Sequence, residues 1–147
     1  VQADAIPVLP LGGGSELRLV AGDFADARGP VESLAGVFMS VVALAPGADV
    51  RLPAPVARSV FLYAVRGDVT IAGKPLPQWH LAEVAHDGDT LAIASQAGAL
   101  LLFGHADPIT EPVVAHGPFV MTTREEIVQA IHDYQAGRFG DPAGLRL

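Results

Sequence analysis

The chain has 147 residues, enough for one domain with a sizeable buried core, and its lack of cysteine excludes disulfides, thiolate zinc sites and a cysteine nucleophile. Its net charge is −7 and its acidic residues are scattered, which disfavours direct contact with nucleic acid because phosphate binding needs clustered Lys and Arg. No uncharged apolar run approaches the ~18 residues of a transmembrane helix, so we expect no membrane partner.

The first part of the chain is rich in residues that disfavour regular structure. Residues 1–16 contain two prolines and three consecutive glycines. We therefore predict a loop, or a segment between domains, over this stretch.

From residue 17 to residue 109, short runs of β-forming residues alternate with Gly and Pro turns. The runs are LRLVA, VFMSVVALA, VFLYAV, VTIA, LAEVA, TLAIAS and ALLLF. Short strands at roughly even spacing are typical of a sandwich or barrel, and no helical period competes with them. The pattern predicts an all-β domain over 17–122.

The end of the chain changes to a helical period. Apolar residues recur on one helical face at Ile127, Ala130, Ile131 and Tyr134. Thr123 and Glu126 have the spacing of a capping box, and Gly137 is a typical helix stop. We predict one amphipathic helix over 123–136, with a tail to residue 140, whose apolar stripe packs on the barrel or on a partner.

The segment from Pro46 to Gly73 resembles the first signature of the cupin superfamily. In that signature a Pro-Gly turn leads to two histidines one residue apart and then to a glutamate, and these side chains converge on one divalent metal inside a barrel. Here the corresponding positions lie near Pro53, Pro55 and Phe61, and the second signature, expected over residues 87–92, contains no histidine. Such side chains cannot hold a metal, so we predict no catalytic, cofactor-binding or metal-binding residue.

Two further segments resemble the C-terminal domain of the pirin family. Residues 104–140, with GPFVM, the EEI helix and GRFG, resemble its ending, and residues 17–33 resemble its start. Pirin-like proteins are two-barrel bicupins whose N-terminal barrel holds iron through three histidines and one glutamate. The resemblance implies an antiparallel, jelly-roll-like cupin barrel without metal, with iron in an N-terminal cupin domain that is its partner.

By the same resemblance, the intact protein is similar to an iron-dependent quercetin 2,3-dioxygenase. This chain would be its noncatalytic half, shielding the catalytic barrel and completing the substrate cleft. Two alternatives stay open. One is an iron-dependent regulatory module that contacts proteins as a transcriptional co-regulator, and the other is a stand-alone barrel that binds a small molecule.

Three residues are candidates for ligand or interface contacts. Trp79 and His80 suit a stacking platform for a flavonoid ring, although a lone tryptophan at a hairpin end is more often a packing or interface residue. Tyr63 shares one strand face with Phe61 and Val65, and for this stripe we predict core packing.

The tightest group of possible metal ligands consists of His105, Asp107, Glu111 and His116. The group lacks a His-x-His pair and a helical i, i+4 pair, the spacings that metal sites usually show. We therefore interpret His105 and Asp107 as turn residues after a strand.

The overall composition is unusually apolar. Half of the residues are hydrophobic, and the mean hydropathy is +0.39. We expect part of the surface to face a partner, and the chain to self-associate when alone. The sequence starts at Val1 and has no signal segment, which favours a cytoplasmic chain cut from a longer protein.

Overall fold

The computed structural model describes residues 2–85 and 88–140, and the chain divides into two compact units, Val1–Pro108 and Ile109–Leu147. After a 3-10 turn at Ala3–Ala5, the strands of the first unit are β1 (Val8–Gly12), β2 (Ser15–Ala21), β3 (Asp23–Phe24), β4 (Ala27–Arg28), β5 (Phe38–Leu44), β6 (Ala48–Pro53), β7 (Ser59–Arg66), β8 (Val69–Ile71), β9 (Lys74–Leu76), β10 (Leu81–Val84), β11 (Thr90–Ser95) and β12 (Ala99–Ala106).

The first unit is a sandwich of two antiparallel sheets. The larger sheet has the order β1-β2-β5-β12-β7-β10, the smaller has the order β6-β11-β8-β9, and β3 pairs with β4 as a short ribbon. The sheets keep open edges, so the unit is a sandwich and not a closed barrel. The all-β prediction is confirmed.

The core lies between the sheets and follows from strand alternation. Strand β5 reads FMSVVAL, and its buried and half-buried residues alternate along its whole length. The largest fully buried side chains are Phe103, Leu17, Leu19, Leu52, Leu62, Ile93, Leu101, Val42 and Ser40. The Ser40 hydroxyl donates to the carbonyl of Phe103 at 3.3 Å, so this polar group is satisfied inside an apolar core.

Strand β7 turns the face opposite to the predicted one towards the core. Its buried residues are Val60, Leu62 and Ala64, whereas Phe61 and Tyr63 are half-buried. The predicted core stripe of Phe61, Tyr63 and Val65 is therefore wrong. The reason is that VFLYAV is apolar on both faces, so its composition does not reveal which face is inside.

The prediction of a loop over residues 1–16 is also wrong in part. Strand β1 pairs antiparallel with β2, with Leu9 opposite Leu17. Pro10 is tolerated because β1 is an edge strand. In such a strand the N–H of every second residue points away from the sheet and needs no partner. Gly12 ends β1 and Gly13 and Gly14 form the turn, with φ of +86°, +59° and +82° in that order.

The second unit contains a hairpin of β13 (Val114–His116) and β14 (Phe119–Met121), followed by helix α1 (Arg124–Gln135). The helix contacts both strands of the hairpin and buries Ile127 and Ala130. The hairpin lies in the same compact unit as the helix, Ile109–Leu147, whereas the prediction places residues 17–122 and the helix in one domain.

The predicted helix is confirmed, and so are its ends. Thr123 is the N-cap, and the capping box with Glu126 is formed in both directions. Gly137 has a φ of +71°, as expected at a helix end. Tyr134, predicted on the buried stripe, is exposed and meets the Phe119 ring edge-on at 6.4 Å. Among the described residues, α1 is too short and too polar to cross a membrane.

Candidate functional site

The first place to examine is the position where a cupin domain holds its metal. Pro53 is exposed and Pro55 is half-buried, while Leu52 and Ala54 are buried. The positions that face the interior are therefore displaced by one residue from those predicted. A count from the Pro-Gly turn does not fix which residue of a strand points inward, and a shift of one reverses the answer.

The same displacement occurs on strand β7. Phe61 is half-buried on the outer side, and its inward neighbours are Val60 and Leu62. The interior at these strands thus presents aliphatic carbon, which offers no lone pair to a metal. Within residues 2–85 and 88–140, no group of three His, Cys, Asp or Glu side chains is arranged to hold an ion. The second-signature stretch is described only from residue 88 onward, and there Leu91 is buried.

The three predicted contact residues lie at one edge of the six-stranded sheet. Trp79 and His80 are in the turn between β9 and β10, and the Trp79 amide donates to the Ala64 carbonyl at 2.7 Å. His80 is exposed, with Nδ1 3.0 Å from the Gln78 carbonyl oxygen. Tyr63 is half-buried on β7, opposite Leu81 of β10.

Trp79 is unusual in both conformation and exposure. Its φ is +64°, in the left-handed region that a bulky residue rarely adopts, and its side chain is 72% exposed. A strained, exposed indole does not contribute to the core. For Trp79 the sequence suggested either a packing or an interface residue. Its exposure excludes packing in the core and leaves the interface role.

A second site lies beside the Phe38–His105 pair. A cleft of about 270 Å³ is lined in part by Ser33, Phe38, Arg58 and His105. His105 lies in β12, directly opposite Phe38 of β5, and the two rings stack at 4.6 Å with an interplanar angle of 8°. Cross-strand pairing thus fixes the imidazole at the edge of the cleft.

Arg58 connects this cleft to the end of β12. Its Nη1 lies 3.0 Å from Asp107 Oδ1, and its Nη2 donates to the Gly36 carbonyl. Within the part of the chain that the structure describes, its Nε is buried without a hydrogen-bond partner, and so is Nδ1 of His105. Buried polar atoms without a protein partner are uncommon, and both of these belong to residues that line this cleft.

The environment holds His105 neutral at physiological pH. Burial is the main cause that lowers its pKa to about 4, the positive charge of Arg58 lowers it further, and Asp107 acts in the opposite direction. At neutral pH the ring therefore carries one proton, on either nitrogen.

The interpretation of His105 as a turn residue is wrong, because it lies within β12. No sequence pattern points to Arg58, which precedes β7 and lies 47 residues before His105 in the chain. Only the pairing of β7 with β12 brings these two residues together.

Comparison with known proteins finds a matching family and relatives over most of the chain. Residues 39–140 match the family model of the pirin C-terminal cupin domain. A pirin-like protein of Caulobacter vibrioides is 32% identical over 142 residues, covering 94% of this chain and 50% of the relative. Pirin of Homo sapiens is 36% identical over 104 residues, which cover 66% of this chain and 35% of the human protein.

Comparison with solved structures finds a match over nearly the whole chain. The crystal structure of quercetin 2,3-dioxygenase from Acinetobacter baumannii superposes with a TM-score of 0.91 at 29% identity, over 96% of this chain and 50% of that protein. The chain spans about half the length of the curated relatives it matches.

Proposed function

Because the chain belongs to the pirin family as its C-terminal cupin domain, we propose that it is a metal-free, noncatalytic half of a bicupin. It is related to quercetin 2,3-dioxygenase-like proteins. In the intact protein, iron and the oxygenation of quercetin would belong to an N-terminal cupin domain, to which this chain contributes no metal ligand.

The observation that carries the proposal is the aliphatic interior. Leu52, Leu62 and Leu101 are all 0% exposed and lie on three strands of the two sheets. Leu52 and Leu62 come from the stretch where the first cupin signature supplies histidine and glutamate, and Leu101 belongs to the same buried core cluster. The fold is thus retained while its ligand-bearing positions serve packing, as expected of a domain with a supporting role.

A surface of this domain suits a partner domain. We define the outer sheet face as the side of the six-stranded sheet that carries Val41, Leu102, Phe61, Tyr63 and Leu81. Leu102 stands between Val41 and Tyr63 in the cross-strand register. An apolar face of this kind on the outside of a sandwich supports docking of the N-terminal cupin domain. It also supports self-association when that domain is absent.

A regulatory role is the second candidate. The exposed, strained Trp79 lies at the edge of the outer sheet face, and large aromatic side chains are frequent anchors of protein interfaces. In this case the intact protein would capture a protein partner and would not turn over quercetin.

The test compares the isolated chain with a protein that joins it to an N-terminal cupin domain. Both are incubated with Fe²⁺, desalted, analysed for bound iron and assayed for oxygen-dependent loss of quercetin. We expect stoichiometric iron and turnover only in the two-domain protein, with circular dichroism confirming that the isolated chain is folded. Stoichiometric iron in the isolated chain would overturn the proposal. Iron without turnover, together with capture of a protein partner, would favour the regulatory role.

A further inference from the structure

We propose that the open edge of β10 binds an extended, uncharged peptide segment of a partner protein. The segment adds a strand to the six-stranded sheet and places one aliphatic side chain in a crevice beside that edge. This site uses the backbone and the core side of β10, whereas the outer sheet face is the opposite side of the sheet. The inference therefore goes beyond the function proposed above, and its failure would leave that function unaffected.

The edge strands of the two sheets differ in how they are protected. Strands β1, β6 and β9 each contain a proline, which cannot donate a hydrogen bond to an added strand; these are Pro10, Pro53 and Pro75. Strand β10 reads LAEV and contains no proline. Among the described residues, no strand pairs with its outer side. It is therefore the edge of the sandwich that is open to strand addition, over a length of four residues.

The backbone of β10 directs the groups of two residues outward. The Ala64 amide of β7 donates to the His80 carbonyl at 3.0 Å, and the antiparallel register of the two strands continues from that bond. Because the backbone groups of successive residues point to alternate sides of a strand, those of Ala82 also face β7. Those of Leu81 and Glu83 face the open edge, where an added strand would bond to them.

An apolar crevice lies beside this edge, between the two sheets. Its volume is about 300 Å³, and β10 contributes Ala82 and Val84, which pack against the core. The edge strand of the smaller sheet contributes Leu76, which is buried. In an added strand, every second side chain would lie on this core side of the sheet. The crevice therefore suits one aliphatic side chain of the size of leucine.

The charged residues that line the crevice favour an uncharged segment. They are Lys74 and Glu83, so the lining carries one charge of each sign. A charged peptide would be attracted by one of these residues and repelled by the other, whereas a neutral peptide avoids the repulsion.

A second copy of the chain fits this edge less well than a separate segment does. It would pair through its own β10, whose core-side residues Ala82 and Val84 already pack against the core of that copy. No side chain of the added strand would then remain for the crevice. The open edge and the crevice together fit an extended segment that is not already part of a sandwich.

The test is a titration of the 147-residue chain with a capped pentapeptide, in which a central leucine has two threonines on each side. One control peptide has alanine in place of the leucine, and the other carries N-methyl groups on its three central amides. NMR measures the amide shifts and the rates of amide hydrogen exchange. We expect saturable shifts and slower exchange at Leu81 and Glu83. The alanine peptide should bind several-fold more weakly, and the N-methylated peptide should not bind.

Two pairs of variants separate the edge from the crevice. Glu83→Pro removes an outward N–H without removing a bond to β7, and it should weaken peptide binding about tenfold or more. Glu83→Gln keeps the N–H and should bind as the wild type does. Ala82→Leu fills the crevice and should abolish the preference for leucine over alanine. Ala43→Leu, at a half-buried position of β5 outside the crevice, should keep that preference.

The Ala82 variant decides the matter if Glu83→Pro does not fold. Absence of saturable shifts at the β10 amides, equal binding of the leucine and alanine peptides by the wild type, or equal effects of the two Glu83 variants would each overturn the proposal. Exchange at Leu81 and Glu83 that slows with chain concentration and does not respond to the peptide would show that a second copy occupies the edge. That result would overturn the proposal as well.

Discussion

At the scale of single residues, His105 links the stability of the sandwich to pH. Its pKa is lowered to about 4, mainly by burial and also by Arg58. In the unfolded chain an imidazole titrates near pH 6.5, so between pH 6.5 and pH 4 the unfolded state takes up a proton that the folded state does not. The free energy of unfolding therefore falls as the pH falls through this window.

This argument leads to a prediction for His105→Gln. The wild-type chain should lose up to about 3 kcal/mol from this group between pH 6.5 and 4, and less where solvent screens the ring. The variant should lack this part of the pH dependence. Urea unfolding at several pH values measures the slope, and His116→Gln, at an exposed position, should keep the full slope. Parallel slopes for the wild type and the His105 variant would contradict the assignment.

At the scale of elements, most strands and the helix follow from the sequence, since Gly and Pro turns separate short β-forming runs and a capping signal precedes the helical period. Strand β1 was missed because Pro10 disfavours a strand unless it lies at an edge, and edge position is a property of the sheet. The core side of β7 was missed because its apolar residues occupy both faces.

The candidate sites were less predictable than the elements. The positions that face the interior were predicted only approximately, since the inward residues near Pro53 and Phe61 are Leu52 and Leu62. The cleft was not foreseen, because Arg58 and His105 meet only through long-range pairing of β7 and β12.

The capping box of α1 gives a prediction at this scale. Thr123 Oγ1 accepts the Glu126 amide at 3.2 Å, and the Glu126 carboxylate accepts the side chain of Thr122 and the amides of Thr122 and Thr123. These bonds lower the pKa of Glu126. Their contribution to the stability of the helix is therefore lost as the pH falls through the lowered pKa.

Thr123→Ala should destabilise the helix by about 1 kcal/mol, because it removes the acceptor for the Glu126 amide. Thr123→Ser keeps the hydroxyl and should retain most of the stability. Amide hydrogen exchange across α1 measures the difference. Equal protection in the two variants would mean that the cap does not contribute.

At the scale of the whole molecule, the outer sheet face predicts association. Leu81 lies at the sheet edge and is 59% exposed, opposite Tyr63. Leu81→Lys should weaken self-association with little effect on the free energy of unfolding, since exposed substitutions seldom change stability by more than about 0.5 kcal/mol.

Sedimentation analysis at several concentrations measures this effect. Val128→Lys is the matched control, because Val128 is 54% exposed on α1 and is not one of the residues that define the outer sheet face. A wild-type chain that remains monomeric at high concentration, or an equal effect of the two substitutions, would argue against this face as an interface.

The turn that carries Trp79 has a consequence for spectroscopy. Trp79 is the only tryptophan of the chain and is 72% exposed, so intrinsic fluorescence monitors the sheet edge rather than the core. Its emission should resemble that of an indole in water and change little on unfolding. When another domain covers this edge, the emission should shift to shorter wavelengths, so the natural chain carries its own optical reporter of assembly.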